Sequence, residues 1–249
     1  MNHYLNITRL SNLIKREVLT NAKAMLIILG AISGVVLFIF TISALNKNTH
    51  GTHVPLFAST FMVTGLVLSS LAYRDLLNKN KSYAYLTLPV SNLERLISML
   101  FITTLIYIIT YIVYYFLLST ILNAFASYFT QQDFEAFDVA DTIVWKTIKI
   151  YLVVQSVFLL GAASFKKFPL PLTLLTLFVA SIIMVLIAVG IMAAFTYDMR
   201  LNDIDFNLPS YLDRRYGLDF ERISKIVFWY LLAPFCWFVT YLKLKEKEV

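Results

Sequence analysis

Few residues in this chain of 249 are placed to do chemistry. His50 and His53 form an H-x-x-H pair, a spacing that can hold zinc on a helix. Here Gly51 lies between them and no third ligand stands nearby, so the pair reads as two solvated loop histidines and no metal is assigned. Asp198, Asp203 and Asp205 could converge on a metal or substrate only with another ligand type beside them. Neither His nor Cys accompanies them, so a solvated acidic face is the plainer reading. Cys236 is the lone cysteine, which excludes an intrachain disulfide. The sequence has no G-x-x-x-x-G-K-[ST] phosphate loop and no H-E-x-x-H, and its seven glycines leave little from which to build a nucleotide cradle. The chain is therefore expected to be neither an ATPase nor another enzyme by itself, and to need no cofactor.

Two further patterns concern packing. Tyr107, Tyr111, Tyr114 and Tyr115 fall on one helical face, and their hydroxyls need partners, so the stripe faces protein or a polar path rather than lipid. Gly30 and Gly34 make a G-x-x-x-G, and Gly190 with Ala194 a small-x-x-x-small pair. Either lets helix backbones approach closely, within one subunit or across a dimer.

The elements that must carry these residues follow from composition. With 59% hydrophobic residues, 14% charged residues and a mean hydropathy of +0.73, the chain holds more apolar surface than a water-soluble domain can hide. A soluble enzyme, a disordered tail, a stapled secreted domain and a free nucleic-acid binder are all excluded. Cutting at every Asp, Glu, Lys and Arg leaves six long uncharged runs, at 24–46, 48–73, 96–132, 150–165, 168–197 and 226–242. A spanning helix needs about 20 residues. Six helices are thus predicted over Ala24–Leu45, Val54–Tyr73, Leu96–Leu122, Thr147–Phe165, Phe168–Thr196 and Ile226–Leu242, since a lipid-exposed backbone must satisfy its own hydrogen bonds. The two shorter runs are extended by Lys149, Lys166, Lys225 and Lys243, whose stems can lie in the bilayer while the ammonium groups reach its interface. No Asp, Glu, Lys or Arg interrupts a run, so an ion-coupled pump or intramembrane enzyme lacks the residues it would need at depth.

Orientation comes from the charges. The N-terminus, the 74–95 loop, the 166–167 turn and the C-terminus carry 13 of the 21 Lys and Arg, against 5 of the 15 acids. The positive-inside rule then places both termini in the cytoplasm. The stretch from Ala24 is too long for a signal-peptide core and no cleavage site follows, so it is a retained anchor. Ahead of it, Ile7, Leu10, Ile14 and Val18 recur at helical spacing between basic residues, which predicts an interfacial amphipathic helix within residues 1–23. Residues 24–249 form one six-span domain. In the 74–95 loop, a short amphipathic piece with Tyr83, Leu86 and Leu88 runs into Pro89, and Ser91 or Asn92 can cap the next helix with Glu94 in its first turn. The third helix is expected to end near Asn123. Outer segments at 123–146, with Trp145 as an interface anchor, and at 198–225, a structured cap with six acids and five bases, complete the chain. Pro169 and Pro171 suit the first turn of span five, and Pro234 should kink span six.

This order of parts resembles the membrane subunit of the type-2 ABC exporter family over essentially the full length. Locally, Tyr85-Leu86-Thr87-Leu88-Pro89-Val90-Ser91 is similar to the Leu-Pro-Val/Ile-Ser stretch common in bacterial permeases of that kind, although the first basic residue after Ser91 is Arg95. The resemblance implies a multi-pass protein of the bacterial cytoplasmic membrane, working as a homodimer or heterodimer with each subunit joined to a cytoplasmic ATPase. Ser82, Tyr83, Tyr85, Leu86, Leu88 and Pro89 would belong to the coupling loop that seats in the ATPase. Spans one and five would meet at the dimer axis, which suits Gly30, Gly34, Gly190 and Ala194, and Tyr107, Tyr111, Tyr114 and Tyr115 could line the path. The other reading is a non-catalytic scaffold or immunity-type membrane protein that binds an envelope partner through its outer loops. Lipid is a neighbour in either case and nucleic acid in neither.

Overall fold

The structure is a computed structural model describing residues 6–45, 52–74, 90–130, 134–165, 167–198 and 225–246, and among them every regular element is helical. In chain order these are α1 (Ile7–Leu45), α2 (His53–Ser70), α3 (Asn92–Phe101), a π-helical turn (Ile102–Ile106), α4 (Tyr107–Thr130), α5 (Thr142–Ser164), α6 (Pro169–Asp198), a second π-helical turn (Val227–Leu231) and α7 (Leu232–Glu246). Each π turn continues into the helix after it, so the elements amount to six helices long and apolar enough to cross a membrane. The chain is thus built as an all-α, multi-pass membrane protein.

The bundle is organised around α5, which lies between α2 and α7 and carries α6 along its side. Small residues allow this: Gly161, Ala162 and Ala163 are all buried, and a Cβ on Gly161 would overlap the Thr173 hydroxyl of α6. Two clusters stack along the bundle. One gathers Tyr73, Leu96, Met99, Ile102, Leu159 and Leu244, with Ile14 and Val18 of α1 packed against it. The N-terminal part of α1 and the C-terminal part of α7 therefore share one end. The other cluster is aromatic, with Phe57, Phe61, Tyr107, Tyr111, Tyr115, Phe137 and Tyr151.

Several boundaries differ from the sequence reading, each for a local reason. No Gly or Pro stands between Ile7 and Leu29, so α1 runs unbroken for 39 residues, about 58 Å, through the point where an interfacial helix would hand over to span one. Its stripe is divided, with Ile7 exposed and the later residues against protein. Ile14 and Val18 pack on the first cluster, and Leu13 and Glu17 are buried beside them. His53 is no solvated loop residue. It opens α2, is buried, stacks on Phe40, meets Tyr115 edge-on and pairs through Nε2 with Asn123 Oδ1 at 2.8 Å. His50 lies outside the described residues. α4 passes Asn123 and ends at Thr130. α5 starts at Thr142, five residues early, because Asp141 caps it by accepting from Ile143 N–H at 2.7 Å while Lys146 and Lys149 take its exposed face. Pro169 does begin α6, following Phe168 in the left-handed region at φ 49°. In the last span a π turn immediately precedes the helix carrying Pro234, whose ring would clash with the carbonyl of residue 230 in a regular helix.

Candidate functional site

Ser82, Tyr83, Tyr85, Leu86, Leu88 and Pro89, which the resemblance would place in a coupling loop, lie outside the described residues. The point where the loop re-enters the bundle is described, and it is tightly tied. Ser91 is the N-cap of α3: its Oγ accepts from Glu94 N–H at 3.2 Å, and Glu94 Oε2 accepts from Ser91 N–H at 2.8 Å, a reciprocal capping box. The same carboxylate reaches across to the start of α1. Glu94 Oε1 accepts from Asn6 N–H at 2.8 Å and pairs with Arg9 Nη2 at 3.4 Å. Asn6 in turn caps α1, its Oδ1 accepting from Thr8 N–H at 3.0 Å. Two helix N-termini, each with unpaired N–H groups and a positive dipole end, thus converge on one anion with no solvent exposure. Arg95 is buried beside it and donates to Asn92 Oδ1 at 3.2 Å.

Ser91, Asn92 and Glu94 were legible as a capping signal. Their tie to Asn6 and Arg9 was not, because 88 residues separate Asn6 from Glu94 and no local pattern spans that distance. A helix-capping Asn ahead of Ile7 was the available sign.

The tyrosine face is a packed seam. Tyr107 donates to the Phe61 carbonyl at 2.6 Å, Tyr115 to the His53 carbonyl at 2.9 Å, and Tyr114 to the Leu29 carbonyl at 2.9 Å, with Ser33 Oγ 2.5 Å from the Tyr114 hydroxyl. These bonds hold α4 to α2 and α1. Tyr151 of α5 joins them, donating to the Thr103 carbonyl in the first π turn at 2.6 Å. Tyr111, also buried, meets Phe57 and Phe61 edge-on and Tyr107 at a tilt. Tyr107, Tyr111 and Tyr115 are buried core residues, and Tyr114 ties α4 to α1.

The glycines divide unexpectedly. A Cβ on Gly30, Gly34 or Gly190 would meet nothing within 4 Å among the described residues, so these positions bring none of the described helices together. The side chain of Ala194 lies outside the described residues. Close approach occurs instead at Gly161 and at Gly65, where a Cβ would overlap Tyr151 and stand 2.9 Å from Tyr107 Cε1. Neither belongs to a G-x-x-x-G. The sign at Gly161 was the small run Gly161-Ala162-Ala163-Ser164, and at Gly65 it was the small-x-x-x-small spacing to Ser69.

Asp203 and Asp205 lie outside the described residues, as does the side chain of Asp198. Among the described residues no three His, Cys, Asp or Glu side chains come together as a metal site. A narrow cleft runs between α1, α2 and the α3–α4 junction. Its upper part, about 80 Å³, is lined by Met25, Ile28, Leu68, Ile106 and Tyr111 among others. Its lower part, about 40 Å³, includes Glu17, Asn21 and Ile102.

No family model matches the chain, and neither a curated protein nor a solved structure matches it.

Proposed function

We propose that this chain is the membrane subunit of an ATP-driven exporter of the type-2 ABC kind, a non-catalytic permease working as a dimer in a bacterial cytoplasmic membrane with an ATPase bound at the 74–95 loop. The order of parts supports this reading. The observation that carries it is the junction at Glu94. A loop that transmits force from a soluble motor must re-enter the membrane domain at a stiff point. Here the residues just after Pro89 are fixed by a capping box, and the same carboxylate binds the start of α1 through Asn6 and Arg9. A push on the loop would therefore be delivered to α1 and α3 together. The six-span build leaves α6 uncovered from Leu174 to Gly190 and exposes Gly30 and Gly34, which leaves room for a second subunit against spans one and five.

The test is a pull-down of the detergent-solubilised chain from its native membrane, with ATPase activity measured on what co-purifies. A soluble ATPase at near-equal stoichiometry, lost in Leu86→Asp or Leu88→Asp while insertion is retained, is the expected result. A clean chain without ATPase, from membranes whose other ABC complexes survive the same detergent, would transfer the function to an envelope scaffold. Retention of full ATPase stimulation in both variants would remove the loop from coupling.

A further inference from the structure

The π turn at Ile102–Ile106 is where span three changes neighbours. Before it, α3 lies against α1 and α7; after it, α4 lies against α1 and α2. One residue more than an α-helical turn holds is wound in here, and the main-chain bonding shows the consequence. Tyr107 N–H donates to the Ile102 and Thr104 carbonyls, so the Thr103 carbonyl is without the donor four residues on that a regular helix would give it. The hydroxyl of Tyr151, from α5, takes that place at 2.6 Å, and Ser69 Oγ of α2 stands 3.5 Å from the same hydroxyl. A side chain of a neighbouring helix thus closes the gap in the backbone of span three.

The extra residue also sets the faces of the span. Phe101, Leu105, Ile109 and Val113 are all exposed and recur every four residues. In an unbroken α-helix each such step overshoots a full turn by about 40°, so the stripe would drift by about 120° over its length. The residue absorbed in the π turn takes back about 100°, and the stripe stays nearly straight. A regular helix with that one residue left out would present the same faces, so register alone does not require the turn. What the turn adds is a place to bend, since π turns are among the few causes of sharp bends in long helices. Room for a bend is there. Ile102 and Thr103 border the lower part of the cleft, about 40 Å³, Ile106 and Tyr107 border the upper part, about 80 Å³, and the exposed stripe is uncovered.

We propose that this π turn is a hinge latched by the Tyr151 hydroxyl. When the latch opens, α3 bends against α4, drawing the start of α1 along through Glu94, and the width of the cleft changes with the bend. The hinge requires neither an ATPase nor a dimer, so it stands or falls apart from the exporter reading.

The test uses the full chain in lipid nanodiscs, with Cys236→Ser and spin labels at Ser11→Cys in α1 and Ser164→Cys in α5, both exposed, and reads distances by pulsed electron spin resonance. With Tyr151 in place, one distance should dominate over a small second population. Tyr151→Phe keeps the ring and removes the latch, and should enlarge the second population about three- to tenfold, the worth of one hydrogen bond between membrane helices. Tyr115→Phe removes a comparable bond, to the His53 carbonyl away from the turn, and should leave the distances unchanged. Labels at Val113→Cys and Ser164→Cys, both outside the bending part, should keep one distance in the Tyr151→Phe chain. Deleting Leu105 from that chain takes out the extra residue and should restore the single distance between Ser11→Cys and Ser164→Cys. Unchanged distances in Tyr151→Phe, or the same second population in Tyr115→Phe, would overturn the latch. A second distance from Val113→Cys, or a second population that survives the deletion, would overturn the hinge.

Discussion

Gly65→Ala adds one methyl group at a point where the core has no room for it. The new Cβ would overlap Tyr151 at Cε2 and stand 2.8 Å from its Cζ and 2.9 Å from Tyr107 Cε1. Neither ring can retreat cheaply. Tyr151 is held by its bond to the Thr103 carbonyl and Tyr107 by its bond to the Phe61 carbonyl, both at 2.6 Å, and both rings lie within the aromatic cluster. Overpacking of a tight core costs about 1–3 kcal/mol. Losing one buried hydrogen bond inside a membrane protein adds about 0.6–1.7 kcal/mol. The sum is about 2–5 kcal/mol, partly offset by the gain of up to about 1 kcal/mol that Ala has over Gly in a helix interior. The measurement is reversible unfolding in mixed micelles. Tyr151→Leu in the Gly65→Ala background should recover part of the loss, giving a coupling of at least about 1 kcal/mol in the double-mutant cycle. Gly30→Ala, with open space around it, should be neutral or stabilising. A Gly65→Ala chain as stable as the wild type would refute the packing argument.

Other substitutions separate the elements of the structure. Glu94→Ala removes the acceptor shared by Asn6, Ser91 and Arg9 and should lower stability by about 2–3 kcal/mol, with early proteolysis near the N-terminus as a local readout. Under the dimer proposal, Gly30→Leu with Gly34→Leu should leave the melting midpoint of the chain unchanged and abolish energy transfer between labelled copies in vesicles; persistent transfer would exclude that face from the interface. Asp141→Ala deletes the α5 cap and should cost about 1 kcal/mol in the same unfolding assay. Gln155, fully buried in α5, has an amide with no partner among the described residues, so Gln155→Leu should stabilise by about 1 kcal/mol, and a comparable loss would reveal a partner for that amide.

The number and type of helices were legible because uncharged runs of the right length are scarce by chance, and a bilayer permits the backbone few alternatives. Their ends were less so. Span four was read from Thr147, with Lys149 as its snorkelling flank, yet the helix also carries Lys146 on an exposed face, and Asp141 sets its start. His53 lies in the core rather than a loop, its ring held by the Nε2 bond to Asn123 and by stacking on Phe40, while Nδ1 has no hydrogen-bond partner among the described residues. At the candidate site, the Ser91 cap could be read from residue type and spacing. The Asn6–Glu94 bond could not, since it depends on how α1 and α3 cross.

The two most apolar spans of this chain are its least buried, which is why small-residue motifs on them do not mark the packing contacts among the described helices. The most apolar windows, in α6 and α1, are 6% and 11% buried, whereas the more polar windows of α5 and α2 are 50% and 44% buried. α7 falls between, covered where it meets α5. In water this order would be unstable. In lipid there is no hydrophobic gain from bringing two apolar helices together, so association rests on close packing and on polar groups that prefer a protein partner. The residues that mark the interior are accordingly Ser69, Ser70, Thr103, Gln155, Ser156 and Thr240, all at 1% exposure or less, together with Gly65 and Gly161. Gly30, Gly34 and Gly190 sit on the apolar, uncovered helices, where lipid or a second subunit can meet them equally well. A small-residue motif therefore tells where a helix could be approached, and a buried hydroxyl or amide beside it tells where one has been.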